Sequence, residues 1–215
     1  MAPRAPQAAR RGFNETVTRL WSFAAPAYNL PVLQRWVYRA AHDEVIEHLA
    51  AHSSRRIADI ACGTGLLADR IERELKPDEI YGVDMSDGML AQARTRSARV
   101  QWLKAPAEHL PFGDGTLDAV VSTSAFHFFD QPAAVREFHR VLASGGLAMV
   151  VALSARSPRL QGPASSRWKP AHHASPPEVR SLFESAGFTV TEQHRLPRPV
   201  WTKLISDLVT VGTKP

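Results

Sequence analysis

The stretch Arg56–Asp84 constrains this chain more than any other. Arg56-Ile57-Ala58-Asp59-Ile60-Ala61 is a short apolar run, of strand length, with one acid inside it. Cys62-Gly63-Thr64-Gly65 follows, where the backbone must turn tightly and no large side chain is wanted. From Leu66 to Leu75 apolar residues recur at helical spacing, and Pro77 stops the helix. Ile80-Tyr81-Gly82-Val83-Asp84 is a second strand that closes on an acid. About 20 residues separate the glycines from Asp84, the distance expected between a glycine loop and a ribose-binding carboxylate in a βαβ unit. The order predicts an α/β fold that binds an adenosine-containing molecule.

Gly63 and Gly65 would let a ligand approach the backbone at a helix start, where N–H groups lack partners. Asp84, at the carboxyl end of the second strand, could accept hydrogen bonds from both ribose hydroxyls. Two ligand classes share this pattern. Gly63-Thr64-Gly65-Leu66-Leu67-Ala68 satisfies the dinucleotide form G-x-G-x-x-G/A, which would suit a nicotinamide-linked oxidoreductase. Asp59 argues the other way, because a carboxylate just ahead of the loop repels a pyrophosphate and attracts an ammonium or sulfonium group.

Asp59-Ile60-Ala61-Cys62-Gly63-Thr64-Gly65 resembles the first motif of class I S-adenosylmethionine-dependent methyltransferases, with Ala61 in place of the first glycine. The resemblance extends to the quinone C-methyltransferase (UbiE/MenG-like) group of methyltransferase type 11. It implies a seven-stranded Rossmann-like sheet, mostly parallel with an antiparallel last strand, helices on both faces and an N-terminal helical lid. It also implies S-adenosyl-L-methionine as cofactor and S-adenosyl-L-homocysteine as product. Asp59, Ala61, Gly63, Gly65 and Asp84 are the residues that carry it.

Several further contacts are implied by the resemblance alone. Met85 would lie against the adenine ring. Ala105-Pro106-Ala107-Glu108-His109-Leu110-Pro111-Phe112 resembles the family's adenine loop, except that Pro106 stands where an acid is usual. Ala107 and Glu108 are left to hold the base. Ser122 would touch the cofactor from the end of the fourth strand, Thr116–Ser122. Tyr28, in a Tyr-Asn pair, would lie against the methionine end.

The segment Ser122–Phe129 leaves that strand at the edge where open α/β sheets bind ligands. His127 is its ionisable residue, and an imidazole titrating near neutrality suits a general base. Phe126, Phe128 and Phe129 suggest an apolar acceptor pocket. The expected reaction is in-line transfer of a methyl group to a small, partly apolar molecule such as a quinone, phenol, heterocycle, thiol or lipid-like metabolite. An RNA methyltransferase and a catalytically silent cofactor-binding protein remain as alternatives.

Residues 1–12, rich in Pro, Ala and Arg, are expected to be disordered, and 13–215 to form one domain. Within it, residues 13–52 read as two lid helices, the second running from Val32 to Ala51. Residues 154–175 read as a loop shaping the acceptor site. The helix after Asp84 is expected to reach about Ala98, and a third strand to run from Arg99 to Lys104. Pro177–Ala186 reads as a short helix, followed by strands at Phe188–Arg195 and about Leu204–Val211.

The net charge of +5 comes from scattered basic residues without a dense block of interleaved aromatics. That favours a small-molecule acceptor over nucleic acid and leaves room for weak attraction to anionic membranes. No apolar run reaches membrane-spanning length, the basic N-terminus lacks the apolar core of a secretory signal, and the expected location is cytoplasmic. Cys62 is the single cysteine, so neither an intramolecular disulfide nor a cysteine-rich metal site is expected. His172 and His173 supply too few ligands for a metal. Oligomeric state is left open.

Overall fold

The computed structural model describes residues 38–155, 172–196 and 205–215. Within them a helix α1 (Arg39–Ala51) leads into β1 (Arg56–Ile60), α2 (Leu66–Leu75), β2 (Glu79–Asp84), α3 (Asp87–Arg94) and β3 (Gln101–Lys104). Next come β4 (Leu117–Thr123), a 3₁₀ turn (Phe126–Phe128), α4 (Gln131–Val141), β5 (Leu142–Ala155), α5 (Pro176–Ser185), β6 (Thr189–Arg195) and β7 (Ile205–Thr213). The strands form one seven-stranded sheet in the order β3-β2-β1-β4-β5-β7-β6. β7 runs antiparallel to both β5 and β6, and the other pairings are parallel.

The central strands are buried on both faces, as parallel strands between helix layers must be. Ala58, Ile60, Val120 and Val150 point to one core, which Phe138 and Val141 of α4 and Val179 and Phe183 of α5 complete. Ile57, Val121 and Met149 point to the other, where they meet Leu67 and Ile71 of α2 and Ala41, Val45 and Leu49 of α1. Each of these side chains is essentially inaccessible to solvent, and each contributes roughly 1.5–3 kcal/mol if a Val, Leu, Ile, Phe or Met.

Helix α1 is therefore a core helix along its described length, because its apolar stripe at i, i+4, i+8 faces the sheet rather than the carboxyl edge. Just ahead of it, Tyr38 reaches the ligand edge. The rest of the expected lid, residues 13–37, lies outside the described residues, as do 156–171 of the expected acceptor loop.

Several boundaries differ from the sequence expectation. Helix α3 ends at Arg94, four residues early, with the Thr95 and Arg96 amides turning back onto Gln92 and Ala93. β3 begins at Gln101 rather than Arg99. Gly145 and Gly146 lie within β5, in the irregular stretch between its Leu142 and Leu147 pairings with β4.

Candidate active site

The carboxyl ends of β1, β2 and β4 open on one cavity, floored by the turn after β1. That turn departs sharply from ordinary backbone. Ala61 has φ +56°, Gly63 +55° and Gly65 +79°, all left-handed. The Gly65 amide closes the turn on the Cys62 carbonyl at 2.9 Å, and the Cys62 amide is tied to the Val83 carbonyl at 3.1 Å.

The two glycines serve different purposes. A Cβ on Gly63 would meet only the Met89 sulfur, at 4.0 Å, so its outer side faces the cavity. A Cβ on Gly65 would fall 2.4 Å from the Trp102 ring, and one on Gly82 2.3 Å from it. Trp102 of β3 thus lies flat on the back of the loop, anchored by its indole N–H donating to the Ser97 carbonyl at 3.0 Å. Arg96 adds a second brace, its Nε donating to the Thr64 carbonyl at 2.6 Å.

Asp84 joins the loop to the next helix. Its Oδ2 accepts from the Gly63 amide at 2.9 Å and its Oδ1 from the Ser86 amide at 2.8 Å. Ser86 in turn caps α3 by accepting from the Met89 amide at 3.2 Å. Burial raises the Asp84 pKa, and the amides of Ser86, Gly63 and Met85 partly offset that by favouring the carboxylate. The carboxylate has about four acceptor sites for these three amides, so it can still accept from a ligand.

Asp59 sits one layer deeper. It is fully enclosed in β1 and does not line the cavity. One side of its carboxyl takes the Ala68 amide, near the start of α2, and Oδ2 has no partner among the described residues. Burial first, and the Asp84 charge second, push its pKa up to about 8. Cys62 is affected alike: burial and the same two carboxylates raise its pKa well above the usual thiol range, so it stays a thiol.

Of the residues singled out from the sequence, the cavity brings together Ala61, Gly63, Asp84, Met85, Ala107 and Glu108. Met85 is 41% exposed and turns its apolar surface into the cavity. Glu108 accepts from the Asp130 amide at 2.6 Å, tying the 105–108 loop to the start of α4. Gly65, Asp59, Ser122 and His127 do not line it, and Tyr28 lies outside the described residues. Ser122 is fully buried, and among the described residues its hydroxyl has no partner.

His127 is enclosed as well. Its ring stacks on His173 with centroids 4.7 Å apart, and among the described residues its Nδ1 has no hydrogen-bond partner. Burial, with His173 adding to it, lowers its pKa to about 4. An imidazole so weakly basic is a poor general base at neutral pH. Phe126 belongs to the core, whereas Phe128 and Phe129 line the cavity.

Sequence reasoning did not single out Tyr38, Met89, Thr123 or Ser124 as site residues, although all four line the cavity. Thr123 and Ser124 follow the rule that ligands gather at strand carboxyl ends. Tyr38 had no local signal, since its place depends on how α1 docks.

The family model for a methyltransferase domain matches residues 58–150, which span the glycine loop, Asp84 and β4. Demethylmenaquinone methyltransferase of Thermus thermophilus is 37% identical over 142 residues, covering 64% of this chain and 59% of that protein. The ubiquinone/menaquinone biosynthesis C-methyltransferase of Geobacter sulfurreducens is 33% identical over 158 residues, covering 68% and 61%. Residues 58–150 thus match a methyltransferase domain, and the chain is similar to quinone C-methyltransferases of the UbiE-like group. It spans about three fifths of the length of these curated relatives. Among solved structures, geranyl diphosphate methyltransferase in complex with SAM superposes with a TM-score of 0.69 at 15% identity, covering 82% of this chain and 85% of that one. The [4+2]-cyclase SpnF superposes with a TM-score of 0.73 at 18% identity, covering 93% and 96%. At such identities the likeness shows the methyltransferase fold alone.

The cavity fits S-adenosylmethionine, the cofactor of such methyltransferases, on its own geometry. Gly63 offers open space where a side chain would obstruct, Asp84 has acceptor capacity to spare, and Met85 presents a dry surface.

Proposed function

We propose that this protein methylates a small quinone-type ring, with S-adenosylmethionine as the donor. The observation that carries the proposal is the composition of the cavity from one end to the other. The ends of β1 and β2 contribute a polar cradle of Gly63, Asp84 and Ser86, and the segment leaving β4 contributes Ala125, Phe128 and Phe129, together with the hydroxyl-bearing Thr123 and Ser124. The quinone-methylating names of the similar proteins from Thermus and Geobacter supply the acceptor class.

When bound, the cofactor supplies a methyl group already activated by a positively charged sulfur. The residues of this chain then have to align, enclose and discriminate. Asp84 would fix the ribose hydroxyls, and Met85 with Ala107 would sandwich the adenine, Glu108 holding its edge. The Phe128 and Phe129 rings would seat the acceptor ring and displace water from it.

Among the described lining residues the ionisable ones are Tyr38, Asp84 and Glu108. Asp84 and Glu108 are engaged by backbone amides in the cofactor part. No carboxylate or imidazole among these residues stands at the acceptor end. The nucleophile would then be the acceptor's own electron-rich ring, in its reduced quinol form: a ring carbon would bond the methyl group as its bond to sulfur breaks, and the proton on that carbon would pass to water, so no strong protein base is needed.

Labelled-methyl transfer from S-adenosylmethionine to a demethylated 1,4-naphthoquinol, compared with transfer to bulk RNA, tests this reading. Incorporation into the quinol with weak salt dependence is expected. Incorporation into RNA alone, falling steeply with salt, would overturn it, as would cofactor binding with no transfer to either.

A further inference from the structure

Four non-glycine residues in the described part of the chain have left-handed backbone: Ser53, Ala61, Lys76 and Ser124. Ser53 and Lys76 close helices α1 and α2, where that conformation is a normal way to end. Ala61 and Ser124 have no such excuse. They follow the neighbouring strands β1 and β4, and both line the cavity. Strained backbone that collects at one cavity is a pointer to use.

Ala61 belongs to the glycine turn already described, which leaves Ser124 at φ +57° to be explained. Its amide donates to the Val151 carbonyl at 2.8 Å, which holds the backbone in this conformation. Glycine would adopt it without penalty, whereas serine keeps a hydroxyl there. Among the described residues that hydroxyl has no hydrogen-bond partner. Ala125 follows it, and Phe128 and Phe129, from the same segment after β4, line the same cavity. The cofactor-cradling groups, Gly63, Asp84 and Ser86, come from the other strands' ends.

We infer that Ser124 is an acceptor-binding residue, its hydroxyl hydrogen-bonding a ring oxygen of the molecule seated against Phe128 and Phe129. This deepens the proposed function and rests on it for the placement of the acceptor. A hydroxyl at this point would select rings bearing an oxygen over bare hydrocarbons and would fix which ring carbon faces the cofactor.

The test is binding, read without turnover. Protein saturated with S-adenosylhomocysteine is titrated anaerobically with 1,4-dihydroxynaphthalene and with naphthalene, following tryptophan fluorescence. The wild-type chain should prefer the diol. Ser124→Ala and Ser124→Gly should each weaken the diol by roughly three- to tenfold, the worth of one hydrogen bond, with naphthalene and S-adenosylhomocysteine affinities unchanged. Ser124→Gly should also melt no lower than wild type, so a folding defect in the alanine variant leaves a usable comparison. Absence of a diol preference in wild type, its persistence in both variants, or a matching loss of S-adenosylhomocysteine affinity would each overturn the assignment. Methyl transfer to the diol is scored separately: its failure counts against the proposed reaction, while the binding ratio still decides Ser124.

Discussion

The Asp84 carboxylate receives the amide of Gly63 on one oxygen, at 2.9 Å, and the amide of Ser86 on the other, at 2.8 Å. One side chain therefore sets the distance between the glycine turn and helix α3, which form two walls of the cavity. It does this before any ligand arrives.

Asp84→Ala should weaken S-adenosylhomocysteine by about 1.5–3 kcal/mol, the worth of hydrogen bonds to a charged group. Asp84→Asn keeps an oxygen for one amide and should lose less. Calorimetric titration of both variants checks the order, and equal affinities for all three proteins would remove Asp84 from the site.

The pairing of Gly63 with Asp84 was legible because it is encoded locally, by a spacing within one βαβ unit. The seven strands were legible for the same reason: runs such as Leu117–Ser122 and Leu147–Leu153 are apolar on both faces. The division of labour between the glycines was not. Gly65 is small because Trp102 lies on it, and that contact joins a loop to a strand some distance along the chain. The places of Tyr38 and His127 were not legible for a related reason. Whether a side chain lines a cavity or stacks behind it depends on how α1 and the 172–174 segment dock, as the His127–His173 stack and the bond from the His172 amide to the His127 carbonyl illustrate.

Asp59 gives the ligand-free protein a distinctive pH dependence. Its folded pKa, about 8, lies above the unfolded value of 3.8, so the folded state holds a proton that the unfolded state releases. Stability from this group is full below pH 3.8 and is lost as pH rises toward 8. His42 and His127, both lowered to about 4 by burial first, act oppositely between about 4 and 6.5, destabilising the fold as pH falls. Between pH 6.5 and 8.5 the Asp59 effect should therefore stand clear of these two. Urea midpoints should fall across that window in wild type and stay flatter in Asp59→Asn. Parallel slopes would contradict the protonated state of Asp59.

Ala61 is held at φ +56°, where a Cβ is disfavoured by about 1–3 kcal/mol. Glycine would relieve that strain while adding roughly 0.5–1 kcal/mol of unfolded-chain entropy. Ala61→Gly should thus range from neutral to about 2 kcal/mol more stable in denaturant unfolding. A clear loss of stability would show that the alanine methyl makes packing contacts that outweigh its backbone strain.

His127→Gln should leave kcat within about tenfold of wild type, short of the 10²–10⁴-fold expected for loss of a general base. The wild-type pH–rate profile should show no inflection from His127 near 6.5, since burial holds its pKa at about 4. A drop of a hundredfold or more, with cofactor affinity intact, would restore His127 as the base.

The most direct measurement is a crystal structure of the protein with S-adenosylhomocysteine. The ribose hydroxyls should be found on the Asp84 carboxylate, the adenine against Met85, and the amino-acid end over Gly63, leaving Phe128 and Phe129 free for the acceptor. A ligand seated elsewhere, with the space between Gly63 and Asp84 unfilled, would contradict the assignment of this cavity.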